Sequence, residues 1–179
     1  MTLTLSTART AAFALSLFAL SGLAVPGQGH AADPKPLGSF KDWYAFAYDE
    51  NGGKVCYMVS RPKKADPAAK QRGDTYVLIT HRPKDKTFDV FSVTAGYPYK
   101  KDSKVQLQID KQKFELFTKD DAAWAADQAD RKIVDTLLKG SGLTVKGTSA
   151  RGTQTSDTYS LGGAGQAYGE INKACGVKR

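Results

Sequence analysis

The stretch WYAFAYDENGGKVCYMV, residues 43–59, sets the architecture. Two runs rich in aromatic and β-branched residues flank Asn51-Gly52-Gly53, residue types that accept the positive φ of a tight reversal. The reading is an antiparallel hairpin, and the same texture continues outward from it. Residues 75–80 and 88–95 are β-rich runs separated by Arg82-Pro83-Lys84-Asp85. In the second run Phe88, Val90, Phe91 and Val93 occupy both faces, which predicts a central strand or a bulge. Residues 104–109 alternate apolar and polar, as a half-buried strand does, and Asp110-Lys111-Gln112 turns them back into 113–117. Residues 143–146 and 158–161 add two more strands. The lead 33–39 contains prolines, and 61–72 is rich in Pro, Lys and Ala with no apolar period, so both read as loops.

Two segments change period. Asp127 is the expected N-cap of a helix, with Asp130 in the first turn complementing the positive helix end. Ile133, Val134, Leu137 and Leu138 make its apolar stripe, and Gly140 supplies a stop. From Gly163 onward, Ala164, Ala167, Tyr168, Ile171 and Cys175 share one face, small enough for a helix to lie close on a sheet. The expected fold is therefore mainly β, an antiparallel β-sandwich-like single domain with two short helices, one mid-chain and one C-terminal.

The N-terminus reads as an export signal. Arg9 is the only charge before an apolar run from Ala11 to Val25, and Gly29-His30-Ala31 places small residues where a signal peptidase inspects them. The run is shorter than the roughly eighteen residues of a membrane-spanning helix. Cleavage is expected after Ala31, with Ala32 as the alternative, so that 1–31 is removed and 32–179 forms one domain without a transmembrane anchor. The expected location is periplasmic or secreted, with peripheral outer-membrane association open. Cys56 and Cys175 are an even pair in an oxidising compartment, and the expectation is one structural disulfide between them.

The formal charge of +8 falls to about +7 once Arg9 is removed. The cations cluster at Arg61/Lys63/Lys64, Lys84/Lys86, Lys100/Lys101/Lys104 and Lys111/Lys113. Such a surface suits an anionic partner in the envelope or on a host surface, or simply keeps the protein soluble. An exported chain without an aromatic–basic RNA-binding signature argues against nucleic acid. Tyr97-Pro98-Tyr99-Lys100-Lys101 is an aromatic and cationic loop suited to contact. With Lys104, Arg72 and Asp74 it forms the candidate interaction surface.

Arg72-Gly73-Asp74 is the tripeptide that integrin receptors read. Arg72-Gly73 is echoed by Arg151-Gly152, and Asp74-Thr75-Tyr76 by Asp157-Thr158-Tyr159. Turn chemistry ahead of a strand explains both copies, whereas receptor recognition explains one. His81, the only histidine left after processing, has no Gly-x-Ser-x-Gly elbow to serve and no set of metal ligands beside it, so it reads as structural. Trp43 and Trp124 read as core residues. No catalytic, metal or cofactor site is expected. An enzyme acting on cell-wall or sugar polymers stays as the alternative, because carboxylate separation cannot be read from a sequence.

Several ordered stretches carry a resemblance. They include Lys54-Val55-Cys56-Tyr57, Arg72-Gly73-Asp74 with Thr80-His81-Arg82-Pro83, and Phe114-Glu115-Leu116-Phe117-Thr118 with Asp121-Ala122-Ala123-Trp124. Lys139-Gly140, Ser149-Ala150-Arg151-Gly152-Thr153, Asp157-Thr158-Tyr159-Ser160-Leu161 and Ala174-Cys175 complete the set. Together they resemble the invasion-associated locus B family of alphaproteobacterial exported proteins. The resemblance implies a β-rich envelope domain, a non-enzymatic binding role and, in the pathogens that named the family, a part in host-cell entry. It supplies no catalytic residues.

Overall fold

The computed structural model describes residues 33–67, 72–126 and 128–178; the expected signal peptide, 1–31, lies outside them. Among the described residues eleven strands and two α-helices follow in chain order. The strands are β1 Lys35–Phe40, β2 Trp43–Glu50, β3 Gly53–Ser60, β4 Lys64–Asp66, β5 Tyr76–Arg82, β6 Thr87–Thr94, β7 Lys104–Ile109, β8 Gln112–Lys119, β9 Ala122–Ala125, β10 Gly142–Thr148 and β11 Gln154–Ser160. The helices are α1, Ala129–Leu137, and α2, Ala164–Cys175. All strands join one antiparallel sheet in the order β1-β2-β3-β5-β6-β9-β8-β7-β10-β11-β4. The mainly antiparallel single domain with two helices is what the sequence led us to expect. Among the described residues no helix is long and apolar enough to cross a membrane.

Local pattern explains most strands. In β7, Val105, Leu107 and Ile109 point inward while Lys104, Gln106 and Gln108 face water. β6 is both central and bulged: Thr80 pairs with Val90 and Arg82 with Thr87, so Phe88 and Asp89 together oppose His81. Asp89 takes the left-handed backbone there, φ 58°. Three strands, β1, β4 and β9, lie where no strand was expected.

The sheet rolls until its distant strands meet. Trp43 at the start of β2 donates its indole N–H to the Ser160 carbonyl at the end of β11, at 3.1 Å. Beside it, the Asp42 amide donates to the Gly162 carbonyl and Lys63 pairs with the Asp42 carboxylate. The two edges, β1 and β4, do not pair, so the roll stays open. Inside it, residues from both ends of the sheet and both helices share one apolar core, including Trp43, Met58, Phe91, Leu107, Leu143 and Ile171. Full burial of each large aliphatic or aromatic side chain contributes about 1.5–3 kcal/mol.

α2 packs on β1, β2 and β3, and Cys56 on β3 is bonded to Cys175 at its end, with the Cα atoms 6.0 Å apart. The helix starts at Gly163, φ 93°, where a β-carbon would stand 1.9 Å from the Phe40 carbonyl oxygen. Only glycine fits that approach.

The first helix departs from expectation at both ends. Asp127, the expected N-cap, lies outside the described residues, and Gln128 in left-handed conformation precedes the helix. Asp130 does more than face the helix dipole, because its carboxylate accepts the Phe91 backbone N–H at 2.8 Å and ties α1 to β6. Gly140 stops nothing by backbone conformation. Its φ is ordinary, and the position is small because Ile109 and Leu161 stand 2.8 and 3.0 Å from where a β-carbon would be. Trp124 is also corrected: it is half-buried on the exterior and stacks on Phe117 at 5.9 Å between ring centroids.

Candidate interaction face

The fold divides the contact residues expected from the sequence. Arg72 turns inward and forms a two-pronged ion pair with Asp157, and the side chains are only 4% and 3% exposed. One guanidinium N–H reaches Oδ2 of Asp157 at 3.2 Å, and the other meets Oδ1. The Arg72 guanidinium also sits over the Tyr97 ring, 5.6 Å from its centre. Burial pushes the Asp157 carboxyl up from its ordinary value while the guanidinium pulls it down. Tyr99 is buried in the core. Arg72 and Tyr99 therefore leave the candidate surface, because both are used to close the interior, and half-buried Tyr97 braces Arg72.

Asp74, by contrast, points outward to Arg61 at 2.9 Å. The tripeptide is thus split between inside and outside and is not displayed as a unit. Its glycine has an ordinary φ, contrary to the turn reading. The positive φ belongs to Gly96, 72°, whose β-carbon would stand 2.4 Å from the Gly73 carbonyl oxygen. In the echo, Gly152 does take a positive φ, 86°, and leads into β11. The echoed segments also meet in space, since Asp157 of the second copy neutralises Arg72 of the first.

What the sequence reading missed is on the other side of the sheet. Register pairings align Tyr44, Val59, Leu78, Ser92, Trp124, Phe117 and Lys104 in one row across β2, β3, β5, β6, β9, β8 and β7. Six strand spacings give the row a contour of about 29 Å along the curved sheet. A second row begins Phe46–Tyr57–Thr80. Phe46 stacks on Tyr57 at 5.2 Å, and Tyr48 meets Tyr57 edge-on at 6.1 Å. Partial burial pushes the Tyr57 hydroxyl pKa up. These rings line a concave surface of about 740 Å³, with Arg82 paired to Glu50 at one end and Arg61 at the other. Tyr44 and Phe117 remain 46% and 42% exposed. The legible signal was that Tyr44, Phe46 and Tyr48 alternate with Trp43, Ala45 and Ala47, making a strand apolar on both faces.

A buried polar cluster lies under α2. His81 is fully buried, its Nδ1 accepts the Asp89 backbone N–H at 3.0 Å, and its Nε2–H donates to Asn172 Oδ1 at 2.9 Å. Tyr168 donates its hydroxyl to the Asp89 carboxylate at 2.8 Å, and Arg131 approaches the same group. This pattern fixes a neutral imidazole. Burial lowers its pKa below the ordinary 6.5, against the opposing pull of Asp89 and Asn172. An unfolded histidine binds a proton that the folded one refuses. The associated stability is therefore complete above about pH 6.5 and is lost as pH falls from there toward the folded-state pKa. The melting temperature is expected to drop between pH 7 and pH 5 in the natural protein, and His81→Gln should flatten that segment of the profile. An identical slope in the variant would show that other groups set it.

Among the described residues no group of three or more His, Cys, Asp or Glu stands ready to hold a metal ion. No curated protein sequence matches the chain. Among solved structures, the crystal structure of invasion associated protein b from Bartonella henselae is similar, with a TM-score of 0.56 and 16% identity. The match covers 80% of this chain and 97% of that one, and at such identity it speaks to the fold. The model of the Invasion associated locus B (IalB) protein family matches residues 43–172, well over half of the chain, and the chain belongs to that family.

Proposed function

We propose that the protein is an exported envelope component that binds a protein partner through its outer aromatic row and catalyses nothing. The observation that carries this reading is the row itself. The inner sheet face already supplies the core, and on the outer face cross-strand stacking accounts for Phe46–Tyr57 and Phe117–Trp124 but not for the 46% exposure of Tyr44 or the 42% exposure of Phe117. Exposed aromatic rings flanked by arginine are the composition of protein interfaces. Lys104 closes the row, and Lys100 and Lys101 lie exposed just ahead of it, so the partner's rim is expected to be acidic there. The signal peptide expected at 1–31 supports export, and contact with a host surface is the narrower form of the proposal, borrowed from the setting that named the family.

The test places a photo-crosslinking residue at Tyr44 or Phe117, and at Thr158 on the exterior of β11 as control, in the native cell. A discrete adduct from the first two sites and none from the third is expected. Tyr44→Ser with Phe117→Ser should weaken the isolated complex at least about tenfold, while the urea midpoint falls only by the loss of the Phe117–Trp124 stack, about 1 kcal/mol. Equal labelling at all three sites would end the reading. The alternative of an enzyme on wall or sugar polymers has no observation in its favour: Glu50 is tied to Arg82, and Glu115 and Glu170 lie apart on β8 and α2.

A further inference from the structure

A second concave surface lies away from the aromatic row, where the β7–β8 turn meets α1. It is an open groove of about 710 Å³. Lys111 enters it from the turn, Arg131 and Lys132 from α1, and Lys139 from just beyond that helix. The two carboxylates on its wall are already engaged. Asp135 receives the Arg131 Nε–H at 3.0 Å, and Asp110 accepts the Ser141 hydroxyl at 2.9 Å with the Ser141 and Gly142 amides. Those donors hold the Asp110 carboxyl below the usual range. Among the described residues no carboxylate is within ion-pair distance of Lys111, Lys132 or Lys139.

Folding does not account for this arrangement. The helix dipole favours a cation near Lys139, past the C-terminal end of α1, but disfavours Lys132 in its first turns. Lys111, Arg131, Lys132 and Lys139 line the concavity against Asp110 and Asp135, which leaves a formal excess of two positive charges on its wall, and a multivalent anion relieves that excess. Lysine is a compact point charge suited to phosphate oxygens, and the Gln112 and Gln128 amides on the same wall offer further donors. We propose that this groove binds clustered phosphate groups, carried either by a lipid headgroup or by a soluble polyphosphate. The site is separate from the aromatic row and does not depend on it.

The experiment compares the full protein with two charge-matched variants. One carries Lys111→Gln, Lys132→Gln and Lys139→Gln. The control carries Lys35→Gln, Lys54→Gln and Lys178→Gln, three exposed lysines elsewhere. Each is titrated with inorganic tripolyphosphate, and with phosphatidylcholine vesicles with and without phosphatidic acid. The groove variant is expected to lose about fivefold per lysine, about a hundredfold in all, and the control less than about threefold. Loss confined to tripolyphosphate assigns a soluble ligand, and loss confined to vesicles assigns a headgroup. Equal losses in the two variants reduce the effect to net charge and overturn the proposal, as does absence of binding by the natural protein to both probes.

Discussion

Asp157→Ala is expected to lower the unfolding free energy by about 3–5 kcal/mol, a large fraction of a small domain's stability. The substitution leaves the Arg72 guanidinium buried with its partner gone, and nothing else within the described contacts carries a compensating charge. The Tyr97 ring stays over it but offers only a weak attraction. Removing both charges together should cost much less. Arg72→Leu with Asp157→Leu deletes the desolvation penalty along with the attraction, so the double variant is expected to be more stable than Asp157→Ala. Urea unfolding with a shared slope measures both differences. A loss below about 1 kcal/mol for Asp157→Ala would mean that water reaches Arg72 and that the pair is a surface one.

Cys175→Ser is the second large effect. The bridge closes 119 residues of chain. Chain entropy sets an upper figure of about 5 kcal/mol, and removal of such a bridge typically costs about 2–5. The consequence is local as well as global. α2 is the last element, and its Ala167, Tyr168 and Ile171 cover Trp43 and the β2–β3 core. Without the bond the helix is held by packing and by the His81–Asn172 hydrogen bond alone at that end. Amide exchange is expected to speed up first in α2 and at Asp89, before the β5–β6 ladder. Uniform acceleration across the sheet would show that the bond stabilises only the global unfolding step.

Eight strands and both helices were readable because each carries either its own period or a run of aromatic and β-branched residues bounded by turn signals. β7 alternates strictly, and α1 repeats its apolar residues on one stripe. β1, β4 and β9 were not readable for a common reason. Pro36 and Gly38 interrupt β1, three residues with two charges make β4, and alanines dominate β9. Such segments are strands because a neighbour supplies the hydrogen bonds, and nothing in their own side chains demands it. The contact surface failed in a more instructive way. Aromatic and basic residues at 97–101 looked like one loop on the outside, yet Tyr99 is consumed by the interior, as is the Arg72 grouped with it, while Lys100 and Lys101 remain in water.

By itself the sequence determined eight of the strands and the two helices, the hairpin at residues 43–59 and the pairing of its two cysteines. These follow from neighbours along the chain and from there being a single way to pair two thiols. Tertiary structure alone decided which apolar face of β2 met the core, that Arg72 would find Asp157 85 positions away, and that Lys111 would join Lys132 and Lys139 around one groove. A strand apolar on both faces fits either way round when considered alone. The choice belongs to the rolled sheet, where burying one face leaves the other to the solvent.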